Sequence, residues 1–353
     1  MKKVKGVLLM LIIAVIISIA LQSIMLFFIQ SHYVDSELEV NFTNVTEEID
    51  TEEKQEVKIP EGSNIISVSN KGKYLLYALN SEAYILNISN GNEYKIGITV
   101  DSDTFFKWND TEEKLIISRT LHTDKSGFEI LLYNPNNNFL QEALDANNNH
   151  NIYTLFNLSE KITDIKLNNV NTIIYLKVDD GTNEWINRLD ISGQTNKLYL
   201  NTNKLGKYEV INASDEIIYE DKINGTLAYM SNNNISEFKP NGILKGKLLG
   251  SYNNVFYVGE GEDDTISKIY YRDLSDGYKE SDKWNEKQFS TSYKEDSLVI
   301  SNSNNIYIID KEKNIITNIN SEKKDNYEGE FVTIVDDKVI STLNNVIKVM
   351  DLR

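Results

Sequence analysis

The 353-residue chain contains no cysteine, three prolines and three histidines. The lack of cysteine excludes disulfides, Cys-ligated zinc, iron–sulfur clusters, thiol nucleophiles and a lipid-modified cysteine. It assigns no redox compartment, because exported bacterial proteins often lack cysteine too. His32, His122 and His150 fall at no His-x-x-x-His or His-Glu-x-x-His spacing, so no zinc site is expected. There is no Gly-x-Ser-x-Gly elbow and no glycine-rich phosphate loop. Basic residues are also short: 36 Lys and Arg against 53 Asp and Glu leave a net charge of −17. Such a surface repels phosphate backbones, so no nucleic-acid partner is expected.

Long hydrophobic runs are absent too, with one exception. Residues 6–29 are apolar apart from Gly6, Ser18, Gln22 and Ser23. A helix of that length spans about 36 Å, enough to cross a hydrocarbon core of about 30 Å. Ser18-Ile19-Ala20 offers a small-x-small cleavage site, but the apolar run continues beyond it, which fits an uncleaved signal anchor better. Lys2, Lys3 and Lys5 precede the run and mostly acidic residues follow it. The positive-inside rule then leaves residues 1–5 as a cytoplasmic stub and places the rest outside the cell membrane. Residues 30–54 are acidic and aperiodic, and read as a flexible tether.

Beyond the tether a short phrase recurs: an apolar or aromatic run ending on a short polar residue. It stands at 83–87, 130–134, 186–190, 269–273, 306–310 and 347–351, with a degenerate copy at 235–239. The terminal residues lie 44 apart on average. Short strands at that period point to a β-propeller. The expected architecture is all-β: seven blades of four antiparallel strands over 55–353, preceded by the one transmembrane helix. Each phrase is taken as a third strand. Second strands are expected at 73–78, 115–117, 172–175, 216–219, 255–258, 297–300 and 338–340. These runs are largely apolar, as sheets buried on both faces require. Ser69-Asn70-Lys71-Gly72 and Ser89-Asn90-Gly91-Asn92 supply reversals. The chain's last phrase has no fourth strand after it, and 55–59 is a spare strand ahead of the first blade. The simplest closure puts 55–59 on the outside of the last blade. Residues 135–152 are the one sizeable insertion; Phe139 to Leu144 is read as one or two helical turns between Asn-rich loops.

The run Ser67-Val68-Ser69-Asn70-Lys71-Gly72-Lys73-Tyr74-Leu75-Leu76-Tyr77, followed by Tyr84-Ile85-Leu86-Asn87 and Gly91, resembles the TolB-type, WD-like propeller repeat. Asn70-Lys71 stands where that repeat usually has Pro-Asp. The resemblance implies an extracytoplasmic scaffold that binds proteins or peptides through loops at one mouth of the ring. The α/β domains that accompany TolB and prolyl-oligopeptidase propellers are not expected here.

No residue is assigned as catalytic, cofactor-binding or metal-ligating. Glu260, Glu262, Asp263 and Asp264, and likewise Asp179, Asp180 and Glu184, are oxygen-rich enough to raise Ca²⁺ binding, but read as solvated hairpins. Trp185 reads as a packing residue after a turn. The sequence is therefore read as a non-catalytic, membrane-anchored binding module for an envelope protein or cell-wall component. The alternative is a carbohydrate hydrolase or lyase using paired carboxylates near the ring axis, for which Asp103, Asp164 and Glu330 are the candidates.

Overall fold

Strands that are apolar along their whole length must bury both faces, and here seven small sheets do so by packing side by side. The protein is described from a computed structural model, which covers Gln22 and residues 56–109, 112–121, 127–142, 152–154, 160–168, 173–190, 195–211 and 216–352. The segment 6–29 read as a membrane anchor, the tether and all three histidines lie outside the described residues, Gln22 excepted. Among the described residues no helix is long and apolar enough to cross a membrane.

Blade 1 consists of β1 (Asn64–Val68), β2 (Tyr74–Leu79), β3 (Glu82–Asn87) and β4 (Glu93–Thr99). Blade 2 has β5 (Thr104–Trp108), β6 (Leu115–Leu121), β7 (Gly127–Asn134), β8 (Phe139–Glu142) and β9 (Ile152–Thr154). Blade 3 is β10 (Lys161–Leu167), β11 (Ile173–Asp179), β12 (Glu184–Asp190) and β13 (Thr195–Lys197). Blade 4 is β14 (Leu205–Ile211), β15 (Glu216–Asp221), β16 (Thr226–Ser231) and β17 (Asn234–Glu237). Blade 5 is β18 (Lys247–Tyr252), β19 (Val255–Glu260), β20 (Thr265–Asp273) and β21 (Asn285–Lys294). Blade 6 is β22 (Leu298–Ile300), β23 (Ile306–Asp310), β24 (Ile315–Asn318) and β25 (Lys324–Asn326). Blade 7 is β26 (Glu330–Val335), β27 (Lys338–Leu343) and β28 (Val346–Asp351). Every pairing is antiparallel and the strands follow chain order, apart from β9, which pairs β7.

Seven apolar clusters hold the ring together, one at each junction between neighbouring blades. Leu76 and Ile85 of blade 1, for example, pack with Leu115, Ile117 and Tyr133 of blade 2. The last junction joins blade 7 to blade 1 through Val335, Ile340 and Ile347 against Leu75 and Tyr77, with Val57 and Ile59 in the same cluster. Here the expected closure is found. Ile59 N–H donates to Asn345 O at 2.9 Å and Ile347 N–H donates to Val57 O at 2.8 Å. Lys58 lies opposite Val346 in an antiparallel bridge, and the next pair along, Glu56 and Lys348, approach to 3.8 Å. The three-stranded blade 7 thus gains its fourth strand from the other end of the domain.

Three expectations need correcting. The degenerate phrase at 235–239 falls on the fourth strand of blade 4; the third is β16, whose Leu227, Ala228 and Met230 are buried. The phrase at 306–310 is the second strand of blade 6, the run at 297–300 the first, and β24 the third. In blade 6 the second strand carries the apolar run that marks third strands elsewhere, so composition alone does not rank the two. Finally, Phe139 to Glu142 is strand β8, with no helix in the described part of the insertion. β8 pairs with Leu131–Asn134 and β9 with Gly127–Glu129, so two pieces of chain share one fourth-strand edge of β7.

Tight turns explain much of the asparagine in the chain. Two-residue hairpins of the type I′ class need positive φ at both central residues, which Asn and Asp tolerate best among residues with a side chain. Asn80-Ser81, Asn232-Asn233, Asn253-Asn254, Asp336-Asp337 and Asn344-Asn345 all have it, with φ between 46° and 67°.

Candidate functional site

The first strands of blades 2 and 3, 3 and 4, and 4 and 5 contact one another, which puts the first strands nearest the axis. The ring's upper face is where these inner strands begin. It also carries the turns between second and third strands, and the loops between blades. On the lower face, the turns between first and second strands are tied to one another. Asn302 Nδ2 donates to Asn70 O (2.8 Å) and Asp336 Oδ1 (2.6 Å), Asn253 Nδ2 donates to Asn302 O (3.1 Å), and Asn70 Nδ2 donates to Asn109 O (2.8 Å). These bonds link the turns of blades 5, 6, 7, 1 and 2.

Five inner strands carry a β-bulge: β1, β10, β14, β18 and β26. A bulge leaves backbone N–H groups outside the ladder, and these need acceptors when buried. Carboxylates from neighbouring strands supply them. Glu184 Oε2 accepts from Leu205 N–H at 2.9 Å, while its Oε1 pairs with Lys177 at 3.0 Å. Lys177 Nζ in turn donates to Leu205 O and Gly206 O, at 2.9 and 3.1 Å. Glu220 repeats the device one blade on, accepting from Lys207 N–H (2.8 Å) and Leu248 N–H (2.7 Å). Burial pushes the Glu220 carboxyl above the usual glutamate range, against the lowering effect of those two N–H donors.

A second group of charges adjoins this one, lining the same cleft as Glu220. Lys207 Nζ donates to Glu295 Oε1 at 2.7 Å, and Lys247 Nζ lies 3.1 Å from Glu295 and 3.4 Å from Asp264. Burial would raise the Glu295 carboxyl, but the two lysines outweigh it and hold the group below its ordinary range. Nearer the axis, Lys166 Nζ and Ser251 Oγ both donate to the buried Glu209, each at 2.8 Å, linking the inner strands of blades 3, 4 and 5.

The acids singled out from sequence each have a partner or cleft of their own. Asp103 pairs with Lys161 at 2.9 Å. Asp164 Oδ1 accepts from Ile165 N–H at 2.8 Å, within its own strand. Glu330 lines a 590 Å³ cleft between the inner strands of blades 7 and 1, which neither of the others reaches. In the hairpin of blade 5, Glu260 accepts from the Tyr270 hydroxyl at 2.7 Å, and Asp264 is the partner of Lys247. In that of blade 3, Asp179 and Asp180 cap the turn by accepting from Gly181, Thr182 and Asn183 N–H. The N–H groups of Asn183 and Thr182 hold the exposed Asp180 carboxyl below its usual range. Trp185 packs as expected, 7% exposed, with its Nε1–H donated to Asn187. Among the described residues no group of three or more His, Asp or Glu is placed to hold a metal ion.

Sequence reading missed the cluster of Lys207, Glu220, Lys247 and Glu295. The one trace of it is a Gly-Lys pair at the start of two successive inner strands, Gly206-Lys207 and Gly246-Lys247. It also missed an arc of exposed apolar side chains on the upper face. Tyr199, Ile223 and Leu244 are 86%, 61% and 64% exposed. Tyr199 belongs to the loop between blades 3 and 4, Ile223 to the 222–225 turn, and Leu244 to the loop between blades 4 and 5. Thr202 Oγ1 donates to Asp221 Oδ1 at 2.8 Å, fastening the first of these loops to the turn. A cleft of about 390 Å³ is lined in part by that turn, and another of about 380 Å³ by the 198–203 loop.

No protein-family model and no curated protein matches the sequence. Among solved structures, the chain is similar to an oligogalacturonate lyase from Vibrio parahaemolyticus. The two are 10% identical, with a TM-score of 0.52 over 82% of this chain and 91% of that one. An oligogalacturonate lyase in complex with manganese gives 0.52 at 9% identity, over 81% and 88% of the two chains. The likeness is one of fold. TolB from Acinetobacter baumannii overlays at a TM-score of 0.38 and 9% identity, over 82% of this chain and 60% of that one, too low to support a family.

Proposed function

We propose that the protein is a membrane-anchored, extracytoplasmic binding module whose upper face, between blades 3 and 5, holds an envelope protein or cell-wall ligand. In this reading residues 6–29 anchor the chain, residues 30–54 give reach, and the propeller is a rigid TolB-like scaffold. The observation that carries it is the arc of Tyr199, Ile223 and Leu244, three large apolar side chains left in water on adjoining loops. Large apolar side chains exposed on neighbouring loops beside charged residues fit an interaction surface. The neighbouring lysines and carboxylates support the same reading, since most are engaged with each other or with backbone. The test is crosslinking in native membranes followed by recovery of the full chain with its bound material. Changing Ile223→Asp and Leu244→Asp together is expected to cut recovery of the crosslinked partner about ten-fold, in line with the loss of two apolar anchors. Undiminished recovery from a folded double variant would count against the upper face.

A second reading, a carbohydrate hydrolase or lyase, is favoured by one observation. Glu220 and Glu295 line the same 390 Å³ cleft, and their surroundings push their carboxyl groups in opposite directions. Such a split suits one group as proton donor and the other as base. This reading expects cleavage of a polyuronate or neutral polysaccharide by the full chain, reduced at least about a hundred-fold in Glu295→Gln. Inactivity on both substrate classes would remove it.

A further inference from the structure

We propose that the cleft between blades 4 and 5 on the upper face receives an acidic, apolar-rich segment of a partner protein. Lys222 and Lys245 are its charge contacts, Ile223 and Leu244 its apolar ones. The inference rests on the reading of that face as the binding face, and names the chemistry of what it holds.

The cleft has a volume of about 390 Å³. It is lined by the turn between β15 and β16 in blade 4, and by the start of β18 and the turn after β19 in blade 5. Gly225, Gly246, Gly259 and Gly261 stand in that lining, so much of the wall is backbone, which a second chain can approach closely.

Charge is balanced here, unlike in the chain as a whole. Lys207, Lys222, Lys245 and Lys247 gather with Glu220, Asp221, Asp264 and Glu295, on a chain of net −17. Most of these side chains are already engaged within the fold. Glu295 holds Lys207 and Lys247, and Asp264 shares Lys247. Glu220 accepts from the N–H groups of Lys207 and Leu248. Asp221 accepts from Thr202 Oγ1, Asn224 Nδ2 and Ile223 N–H, at 2.8, 2.6 and 2.9 Å. The two that remain are Lys222 and Lys245. Both are exposed, and neither ammonium has an ion pair or a hydrogen bond among the described residues. An incoming carboxylate therefore meets two unengaged ammonium groups, whereas an incoming cation meets carboxylates that already hold donors. Glu262 and Asp263 share a turn with Asp264 but stand outside the lining of the cleft.

An apolar residue adjoins each of these lysines. Ile223 follows Lys222 and Leu244 precedes Lys245, and they are 61% and 64% exposed. A cation beside an exposed apolar side chain, repeated on two loops of one cleft, matches a segment in which acidic and apolar residues alternate. Each lysine then takes a carboxylate, and each apolar side chain leaves water against another. An acidic glycan would answer the lysines alone and leave Ile223 and Leu244 in water.

The experiment is calorimetric titration of the detergent-solubilised full chain with three probes: a capped pentapeptide of alternating Glu and Leu, its Lys and Leu counterpart, and tetragalacturonate. The acidic peptide is expected to bind saturably, with a dissociation constant on the order of 1 mM or tighter. The basic peptide and tetragalacturonate are each expected to bind more weakly. Lys222→Gln combined with Lys245→Gln should weaken the acidic peptide at least about ten-fold. The melting temperature should not change, because both side chains are exposed and unpartnered. Four results would overturn the inference: no saturable response to the acidic peptide, an undiminished response in the double lysine variant, equal binding of the basic peptide, or a preference for tetragalacturonate. If the arc of Ile223 and Leu244 governs partner recovery yet the acidic peptide does not bind, the acidic segment falls and the binding-face reading stands. If lysine-dependent peptide binding is found while recovery ignores that arc, the broader reading falls alone.

Discussion

Gly206 shows how little room the bulged inner strands leave. A Cβ at this position would stand 1.9 Å from Glu220 Oε2 and 2.7 Å from Glu220 Cβ. The glutamate lies across the glycine because its two oxygens serve Lys207 N–H and Leu248 N–H. Gly206→Ala is therefore expected to displace a buried acceptor and cost about 2–3 kcal/mol, read from urea denaturation. The carboxylates also predict the sign of the acid response. Glu295 and Asp337 are both held below their ordinary 4.5 and 3.8, Glu295 by its two lysines and Asp337 by hydroxyl and amide donors from Ser303, Tyr307, Asn305 and Ser301, in each case against burial. A depressed carboxyl contributes stability that is present above its unfolded value and lost as pH falls through its folded one. Glu220 is raised, so its contribution runs the other way and improves as pH falls. Stability should thus decline below about pH 4.5, less steeply in Asp337→Asn, and the decline should steepen in Glu220→Gln. Denaturation midpoints between pH 6 and pH 3, about the span of these titrations, provide the check.

At the scale of elements, the decisive piece is the shortest. The segment 57–59 makes one bridge and two backbone hydrogen bonds to blade 7, yet buries Val57 and Ile59 in the final junction. Ile59→Ala should cost about 3 kcal/mol, as large-to-small changes in a core do. Deleting 344–353 removes β28 and with it the partner of that segment. The truncated chain is expected to lose cooperative folding; a monomer melting at the full-length temperature would contradict the closure. The Asn344-Asn345 turn offers a milder probe. Asn344→Gly should be nearly neutral, while Asn344→Val should cost roughly 1–2 kcal/mol, because a β-branched residue strains at its φ of 52°. Much of this level was legible beforehand. The first blade's strands, the Asn-Gly reversal and the closure were read from apolar runs and turn residues, which are local properties. The third strand of blade 4 was misplaced onto the exposed edge strand β17, and that of blade 6 onto β23, an apolar run that only its pairing identifies as a second strand. The insertion was misread because Phe139 to Glu142 has no company of its own and becomes strand by joining the edge of β7.

The whole domain is a closed ring with an apolar cluster at every junction, so no blade can leave without opening two of them. Trp108, Trp185 and Trp284 stand in blades 2, 3 and 5, all buried. Single-tryptophan variants are expected to unfold at one common denaturant concentration. Midpoints that differ between the three would show that the ring opens in parts. What the sequence by itself determined is the architecture and its period, because a strand buried on both faces needs apolar residues throughout and a tight reversal needs Asn, Asp or Gly. It also raised the anchor and the outward orientation, from one apolar run and the charges beside it. Only the tertiary structure decided which acids meet which lysines. Lys207 and Glu295 lie 88 residues apart, and Asn302 and Asn70 lie 232 apart. No periodicity encodes those meetings, since they arise where the ring brings loops of different blades together on one face. The exposed arc of Tyr199, Ile223 and Leu244 is visible for the same reason only in the folded chain: in sequence each is one apolar residue among many, and burial of the others is what sets them apart.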